Sequence, residues 1–421
     1  MAPPAKSDER LDTSVPVLVL KMHHGSLGIA RSLGRLGVAV YALNASPKAP
    51  AARSRYWRAC YEWDVENVPA QRSVEYLLDL AGRLGKGTLL IAVSDRTALF
   101  VAENADALKG HFCFPNLSRE IVTGFTSKKE MYFLARRLGV PTAETRFPQS
   151  REELISMLDR TRFPVVLKGI DGARLTARAG RAMAIVRNAD ELLEQYGRME
   201  DEASPNLMLQ EYIPGGEDSV WMFNGYFNAD GKCLVGFTGK KIRQSPVYTG
   251  STSLGICLGN DRVAEITCAF MKAVGYRGIL DIGYRYDARD GQYKVLDVNP
   301  RIGSSFRLFV DRNGLDVVRA LYRDLTGQPM PQAAPAEGRK WMVEDADLHS
   351  SYKYWCDGTL SLVDWLRSFK GVRECAWFAS DDLRPFFLMC RVFFGSAVRS
   401  LAGKLIPSLR KAVVFVTAFY A

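Results

Sequence analysis

GILDIGYRY (278–286) and YKVLDVNPR (293–301), separated by the turn residues Asp290-Gly291, are the stretch on which the reading of this chain rests. Two apolar and aromatic runs around such a turn predict adjacent antiparallel strands. Asp297 and Asn299 are two residues apart, so in a strand both side chains face one way. Asp281 stands on the preceding strand. Carboxylate and carboxamide oxygens gathered on neighbouring strands suit Mg²⁺, which takes a few carboxylates and completes its shell with phosphate oxygens. Arg301 follows at once, where a guanidinium can offset the charge of a phosphoryl group in transfer. Asp-x-Asn before Pro is also an ordinary turn, and the segment alone does not exclude that plainer reading.

Upstream residues strengthen the phosphate reading. Lys168 ends the apolar run FPVVLKG (163–169), and a buried strand rarely finishes in Lys unless the ammonium meets an anion. QEYIPGGED (210–218) sets Glu211, Glu217 and Asp218 around a Pro-Gly-Gly turn. Backbone groups there can read a purine edge while a carboxylate takes ribose hydroxyls. Lys240, Lys241 and Arg243 crowd one strand end, a further anion signal. GYFNADGKCLVGFTGKKI (225–242) predicts a hairpin turning at Asp230-Gly231. Residues 169–181 read as a mobile Gly- and Arg-rich loop whose Arg174, Arg178 and Arg181 close over phosphates or grip an acidic substrate. SKKEMYFLARRLG (127–139) is an amphipathic helix capped by Ser127 and closed by Gly139. The middle block is therefore antiparallel α+β.

The N-terminal block differs. PVLVL (16–20), HHGSLGIARSLGRLGV (23–38), VAVYAL (38–43), a helix at 71–84 and TLLIAV (88–93) alternate as in a parallel, doubly wound sheet. The glycines after the first strand lack the G-x-G-x-x-G order, and no acidic residue ends the second strand. They are read as helix packing rather than dinucleotide binding. His23 and His24 read as a surface turn or a cleft contact. Ser94 and Asp95 stand where open α/β sheets present ligand groups, either as an amine-substrate contact or as a plain helix cap. Ser304, Ser305 and Arg307, just past the metal motif, read as carboxylate contacts or as a satisfied loop.

Taken in order, Lys128, Lys168, the Glu211 turn, the basic strand, Asp281 and Asp-x-Asn-Pro-Arg resemble the ATP-grasp superfamily of carboxylate–amine ligases, of the D-aspartate ligase and carbamoyl-phosphate-synthase-like type. The resemblance covers about 14–330. It implies a pre-ATP-grasp α/β domain at 14–118 after a disordered tail at 1–13. An ATP-grasp domain of two α+β lobes follows at 119–330, with a mobile lobe at about 150–208. A linker at 331–338 and a mainly helical C-terminal appendage at 339–421 complete the chain. The resemblance also implies ATP and two Mg²⁺ ions, with Mn²⁺ as a substitute. Lys128 and Lys168 would touch phosphates, Glu211 and the backbone of Tyr212 and Ile213 adenine, and Glu217 or Asp218 ribose. Lys240 and Arg243 would approach the transferring phosphate or the substrate carboxylate. Asp297 would bridge the ions, with Asn299 and Asp281 as further ligands. Such families often carry Glu where Asp297 stands, and their second carboxylate can fall at the position of Gly283. The implied reaction joins a carboxylate to an amine, an amino acid among them, through an acyl phosphate, releasing ADP and phosphate. The alternatives are a small-molecule kinase on the same site and a non-catalytic ATP-binding membrane or scaffold protein.

Composition is that of an ordinary globular protein: 421 residues, 47% hydrophobic and 24% charged, exclude disordered and fibrous classes. Eight scattered cysteines and four histidines form no zinc spacing, and the cysteines are read as reduced. The polar N-terminus and the lack of a long apolar run predict a cytoplasmic protein. Of the net charge of +10, six units come from residues 383–421, which contain no acidic group. This tail, with PFFLMCRVFF (385–394) and AVVFVTAFYA (412–421), reads as a peripheral contact with an anionic membrane, as a packed helical element, or as a homo-oligomer contact. Nothing points to nucleic acid, because aromatic and basic residues are not interleaved in a known module.

Overall fold

The computed structural model describes residues 11–395. Three sheets organise it. The first is the parallel sheet expected of the N-terminal block: β1 (Val17–Leu20), β2 (Val40–Asn44), β3 (Trp57–Glu62), β4 (Thr88–Ala92) and β5 (Phe112–Cys113), in the order β3-β2-β1-β4-β5. Its central strand VLVL is fully buried, as a strand covered by helices on both faces must be. The second is a small antiparallel sheet of β6 (Thr145–Arg146), β7 (Val165–Gly169), β8 (Met183–Val186) and β9 (Leu207–Glu211), in the order β6-β9-β7-β8.

The third and largest sheet contains β10 (Val220–Phe227), β11 (Cys233–Ser245), β12 (Ser251–Cys257), β13 (Gly278–Asp287), β14 (Gln292–Asn299), β15 (Lys340–Met342) and β16 (Val372–Cys375). Its order is β14-β13-β10-β11-β12-β15-β16, and all pairs but the last are antiparallel. The β10–β11 hairpin turns at Asp230-Gly231, where Gly231 takes φ +75, a value that glycine reaches without strain.

The helix His24–Gly34 shows why its glycines are there. A Cβ on Gly25 would lie 2.8 Å from Ser304 Cα, and one on Gly28 would lie 2.8 Å from Arg307 Cγ. The helix backbone lies directly on the 304–307 segment that follows the metal motif, which seats the N-terminal block beside β14. His23 is neither a surface turn nor a cleft residue: its Nδ1 accepts the Gly25 N–H and caps the helix. His24 packs against Trp341 and Trp377.

Three further expectations change. Residues 169–181 are not an open loop: Gly172–Ala179 is a helix. Arg174 pairs with Asp201 at 2.9 Å, Arg178 approaches the same carboxylate, and Arg181 bonds Gln195, so these arginines serve their own lobe. The N-terminal tail is shorter than read, because Leu11 packs on the core and the Asp12 N–H donates to Gln328. The C-terminal region is helical as expected, at Glu344–Cys356, Leu362–Ser368 and 384–395, but it also supplies β15 and β16 to the main sheet. Most of the 383–421 tail lies outside the described residues. Among those residues, no helix is long and apolar enough to cross a membrane.

Buried ion pairs fasten this C-terminal region. Arg31 bonds Asp382, and Arg243 grips Asp347 through two 2.8 Å bonds; all four side chains are at most 4% exposed. Arg307 bonds both Asp316 and Glu374, and Glu374 also takes Arg339. Removing one member of such a pair leaves the other charged and buried. Asp347→Ala should lower unfolding stability by about 3–5 kcal/mol, and the double variant R243M/D347A should recover part of the loss; urea denaturation of the three proteins checks both.

Candidate active site

β13 and β14 pair so that Asp281 faces Asn299 and Gly283 faces Asp297. The strand period of two then brings all four positions to one face of the sheet. Asn299 Nδ2 lies 3.4 Å from Asp281 Oδ2. Arg301 reaches back to donate to Asn299 Oδ1 at 3.0 Å and across to Asp95 Oδ1 at 2.8 Å. Gly303 is obligatory here, because a Cβ would stand 2.5 Å from the Asp281 carboxyl carbon.

These residues open into a cleft of about 780 Å³ between the second and third sheets. Lys168 enters it from β7 of the second sheet, and Lys128 from the first turn of the helix Lys128–Arg137. Ser127 caps that helix, which fixes the first-turn position of Lys128. Lys128 Nζ lies under the helix Gly172–Ala179, where a Cβ on Gly172 would stand 3.7 Å from it. Lys168 is 7% exposed and makes no ion pair within 4 Å among the described residues.

Electrostatics distinguish the charged groups. Burial pushes the Lys168 ammonium down to about 8; Lys128 and Lys241 push the same way, and Asp297 only partly opposes them. Burial alone would raise Asp297, but the field of Lys128, Lys168 and Arg301 outweighs it and holds this carboxyl below its usual range. Burial raises Asp281 despite Arg301 and Lys241. The surroundings thus favour the ionised form of Asp297 and disfavour that of Asp281.

The donor chemistry fits Mg²⁺ only in company with phosphate. Asp281, Asp297 and Asn299 supply two carboxylates and one carboxamide, and among the described residues no group of three His, Cys, Asp or Glu could hold a metal alone. Mg²⁺ is commonly bound in this way, by one or two carboxylates plus substrate phosphates. A buried ammonium with no carboxylate bonded to it likewise suits a phosphate anion.

At another part of the cleft stand Glu211, Tyr212 and Ile213. The Glu211 carboxylate is engaged by Arg289, by Lys294 at 3.6 Å and by the Glu144 N–H at 3.2 Å. The Arg285 guanidinium lies 5.8 Å from the Tyr212 ring centre. Ser304 and Ser305 also line the cleft.

Seven expected residues stand elsewhere or are only partly described. Lys240 Nζ lies 4.6 Å over the Trp221 ring and leaves the cleft to its neighbour Lys241. Arg243 and Arg307 are buried in the ion pairs described above. Ser94 caps the helix Asp95–Glu103 and donates to Glu66, while Asp95 meets the cleft only through Arg301. Asp218 is exposed on its turn and does not line the cleft. The side chain of Glu217 lies outside the described residues. The irregular pairing of β11 explains the basic strand: between Lys241 and Arg243 the register with β12 slips by one. A bulge breaks the two-residue alternation and sends these two cations to different sides. Sequence reading named Lys241 as part of the basic strand end but gave the phosphate role to Lys240 and Arg243, and it missed Gln244 and the 245–252 wall, because nothing in the sequence marks that bulge.

No protein-family model matches the chain. A curated relative, the D-aspartate ligase of Enterococcus faecium, is 23% identical over 248 residues, which are 57% of this chain and 59% of that protein; the chain thus spans less than two thirds of this relative's length. Among solved structures, an N5-carboxyaminoimidazole synthetase of Staphylococcus aureus complexed with ADP superposes with a TM-score of 0.62 at 11% identity, covering 83% of this chain and 87% of that one. An L-amino acid ligase from Bacillus licheniformis gives 0.57 at 14% identity, covering 78% and 76%.

The chain has the ATP-grasp fold. In ATP-grasp terms, the small second sheet and the large third sheet are the two lobes, and the cleft between them is the grasp.

A buried ammonium with no ion-pair partner among the described residues opposes folding. Its depressed pKa places that cost below about 8, and the cost fades as pH rises from there towards 10.5, where the unfolded chain also loses the proton. Lys168→Met should therefore stabilise the ligand-free protein at pH 7 by roughly 1–3 kcal/mol, with the gain shrinking above pH 8. Thermal unfolding across pH checks this.

Proposed function

We propose that this protein is an ATP-dependent ligase that joins a carboxylate to an amine, with an amino acid among its substrates, and releases ADP and phosphate. The observation that carries this is that Lys128 and Lys168 line one cleft together with Asp281, Asp297 and Asn299. A carboxylate is a poor acyl donor, and phosphorylation makes it a good one. Such a site has little covalent chemistry to do; it must align the γ-phosphate, offset its charge and exclude water. Among these residues we assign the phosphates to Lys128 and Lys168, and the adenine edge to the backbone at Tyr212 and Ile213 beside Glu211. Asp281, Asp297 and Asn299 would hold Mg²⁺, two ions in our reading with Mn²⁺ as a substitute, which supplies charge to the phosphoryl oxygens when bound. Arg301 and Lys241 take the phosphoryl-facing role that the sequence suggested for Lys240 and Arg243. Ser304 and Ser305 take the carboxylate.

Asp95 becomes the residue that orients Arg301 rather than a direct substrate ligand. Asp218 does not line the cleft, which leaves the ribose role to Glu217. The curated relative's name makes D-aspartate the first carboxylate to try.

The ligase reading predicts hydroxamate and phosphate from MgATP, hydroxylamine and one member of a D- and L-amino-acid panel. Asp297→Asn and Lys168→Ala should each lower that turnover at least 100-fold. A kinase would release no hydroxamate and would phosphorylate a hydroxyl, and a non-catalytic protein would bind MgATP without phosphate release.

The tail gives a second proposal. Six basic groups and no acid over 383–421, among long apolar runs, suit a peripheral contact with an anionic bilayer. The full chain should sediment with phosphatidylglycerol vesicles and not with phosphatidylcholine vesicles, and high salt should release it; equal behaviour with both would end this reading.

A further inference from the structure

The cleft has one wall that neither the phosphate nor the adenine assignment uses. It is the β11–β12 connection, 245–252, which brings Ser245, Tyr248, Thr249 and Ser251 to the cleft. The wall is tightly built. Tyr248 takes φ +66, a left-handed value that is costly for a bulky residue. A Cβ on Gly250 would fall 2.1 Å from the Ser245 carbonyl carbon, so only glycine fits. Lys241 Nζ donates to Gly250 O at 2.9 Å, and its charge is felt at both Lys168 and Asp281. The shape of this loop therefore sets where one cleft cation stands.

The loop is held from outside, by the C-terminal region. Tyr248 N–H donates to Tyr354 Oη at 3.2 Å, and Tyr248 Oη donates to Asp357 Oδ2 at 3.0 Å, with Thr359 Oγ1 at 3.4 Å. The Tyr248 and Tyr354 rings meet edge to face, 5.0 Å between centres. Tyr354 is 4% exposed and sits on the helix Glu344–Cys356, which Asp347 pins to Arg243. Strain of this kind persists only where the surroundings over-determine it.

We infer that Tyr354 and Asp357 are positioning residues that fix Tyr248 in the cleft wall, and that Tyr248 selects the amine substrate. The inference rests on the ligase reading for its second half. The wall offers hydroxyls and an aromatic ring and no cation of its own, whereas the phosphate side is lined by ammonium groups. An incoming amine is repelled by those ammonium groups and suits hydroxyl acceptors and a ring face.

The test uses full-length Y354F, D357A and their double variant. Y354F keeps the buried ring and removes the hydroxyl that accepts the Tyr248 N–H, and D357A alters an exposed residue, so both should fold with unchanged unfolding midpoints. Hydrogen exchange of the 248–250 amides should accelerate at least tenfold in the double variant. MgATP affinity by calorimetry should stay within twofold. KM for the amine should rise at least tenfold while KM for ATP stays within twofold, and Tyr248→Ala should change the ranking of amines. Unchanged exchange at 248–250 overturns the positioning role. Equal rises in both KM values, or an unaltered amine ranking in Tyr248→Ala, overturn selection. If the wild type binds MgATP but ligates nothing in the panel, the ligase reading and the selection role fall together, and the exchange result still decides the positioning role.

Discussion

A buried ammonium with no carboxylate bonded to it is the feature on which the rest of this site depends. Lys168 ends a strand inside the fold, and burial together with two neighbouring lysines presses its pKa down. Desolvating a charge without a partner is costly. The arrangement becomes favourable when a polyanion enters, because the anion supplies the missing partner in a place where water does not compete. Asp297 belongs to the same balance. It is kept ionised by the lysines it faces, and its charge alone cannot neutralise them.

Elsewhere the chain treats buried cations in the opposite way. Arg31, Arg243 and Arg307 each find one or two carboxylates at hydrogen-bond distance, and each of those pairs joins the C-terminal region or the 304–316 segment to the core. The paired cations serve the architecture, whereas Lys168 has no carboxylate partner among the described residues and faces the cleft. That contrast explains why a basic strand with three cations near its end contributes one to the cleft, one to an aromatic face and one to an interior ion pair.

The C-terminal region is thereby part of the body that builds the candidate site. It extends the main sheet through β15 and β16, buries the partners of three arginines, and touches the loop that walls the cleft. A region that lies outside the sequence resemblance reaches the candidate site through one tyrosine hydroxyl and one carboxylate.

Much of this was legible in the sequence because the signals were local. Alternation in YKVLDVNPR placed Asp297 and Asn299 on one face, apolar runs marked the parallel sheet, and Ser127 and Gly139 bounded the helix that bears Lys128. A strand's period and a cap's hydrogen bond involve residues a few positions apart, so the chain states them directly. The fate of Lys240, Arg243 and Arg307 was not legible. Arg243 meets Asp347 104 positions later, and Arg31 meets Asp382 351 positions later. A bulge in β11, which no residue type announces, reverses which cation faces the cleft. By itself the sequence determined the strands, the order of the ligand-bearing residues and their chemical kinds. Only the tertiary structure decided which charges acquire partners, because pairing depends on distances closed by folding and not on distances along the chain.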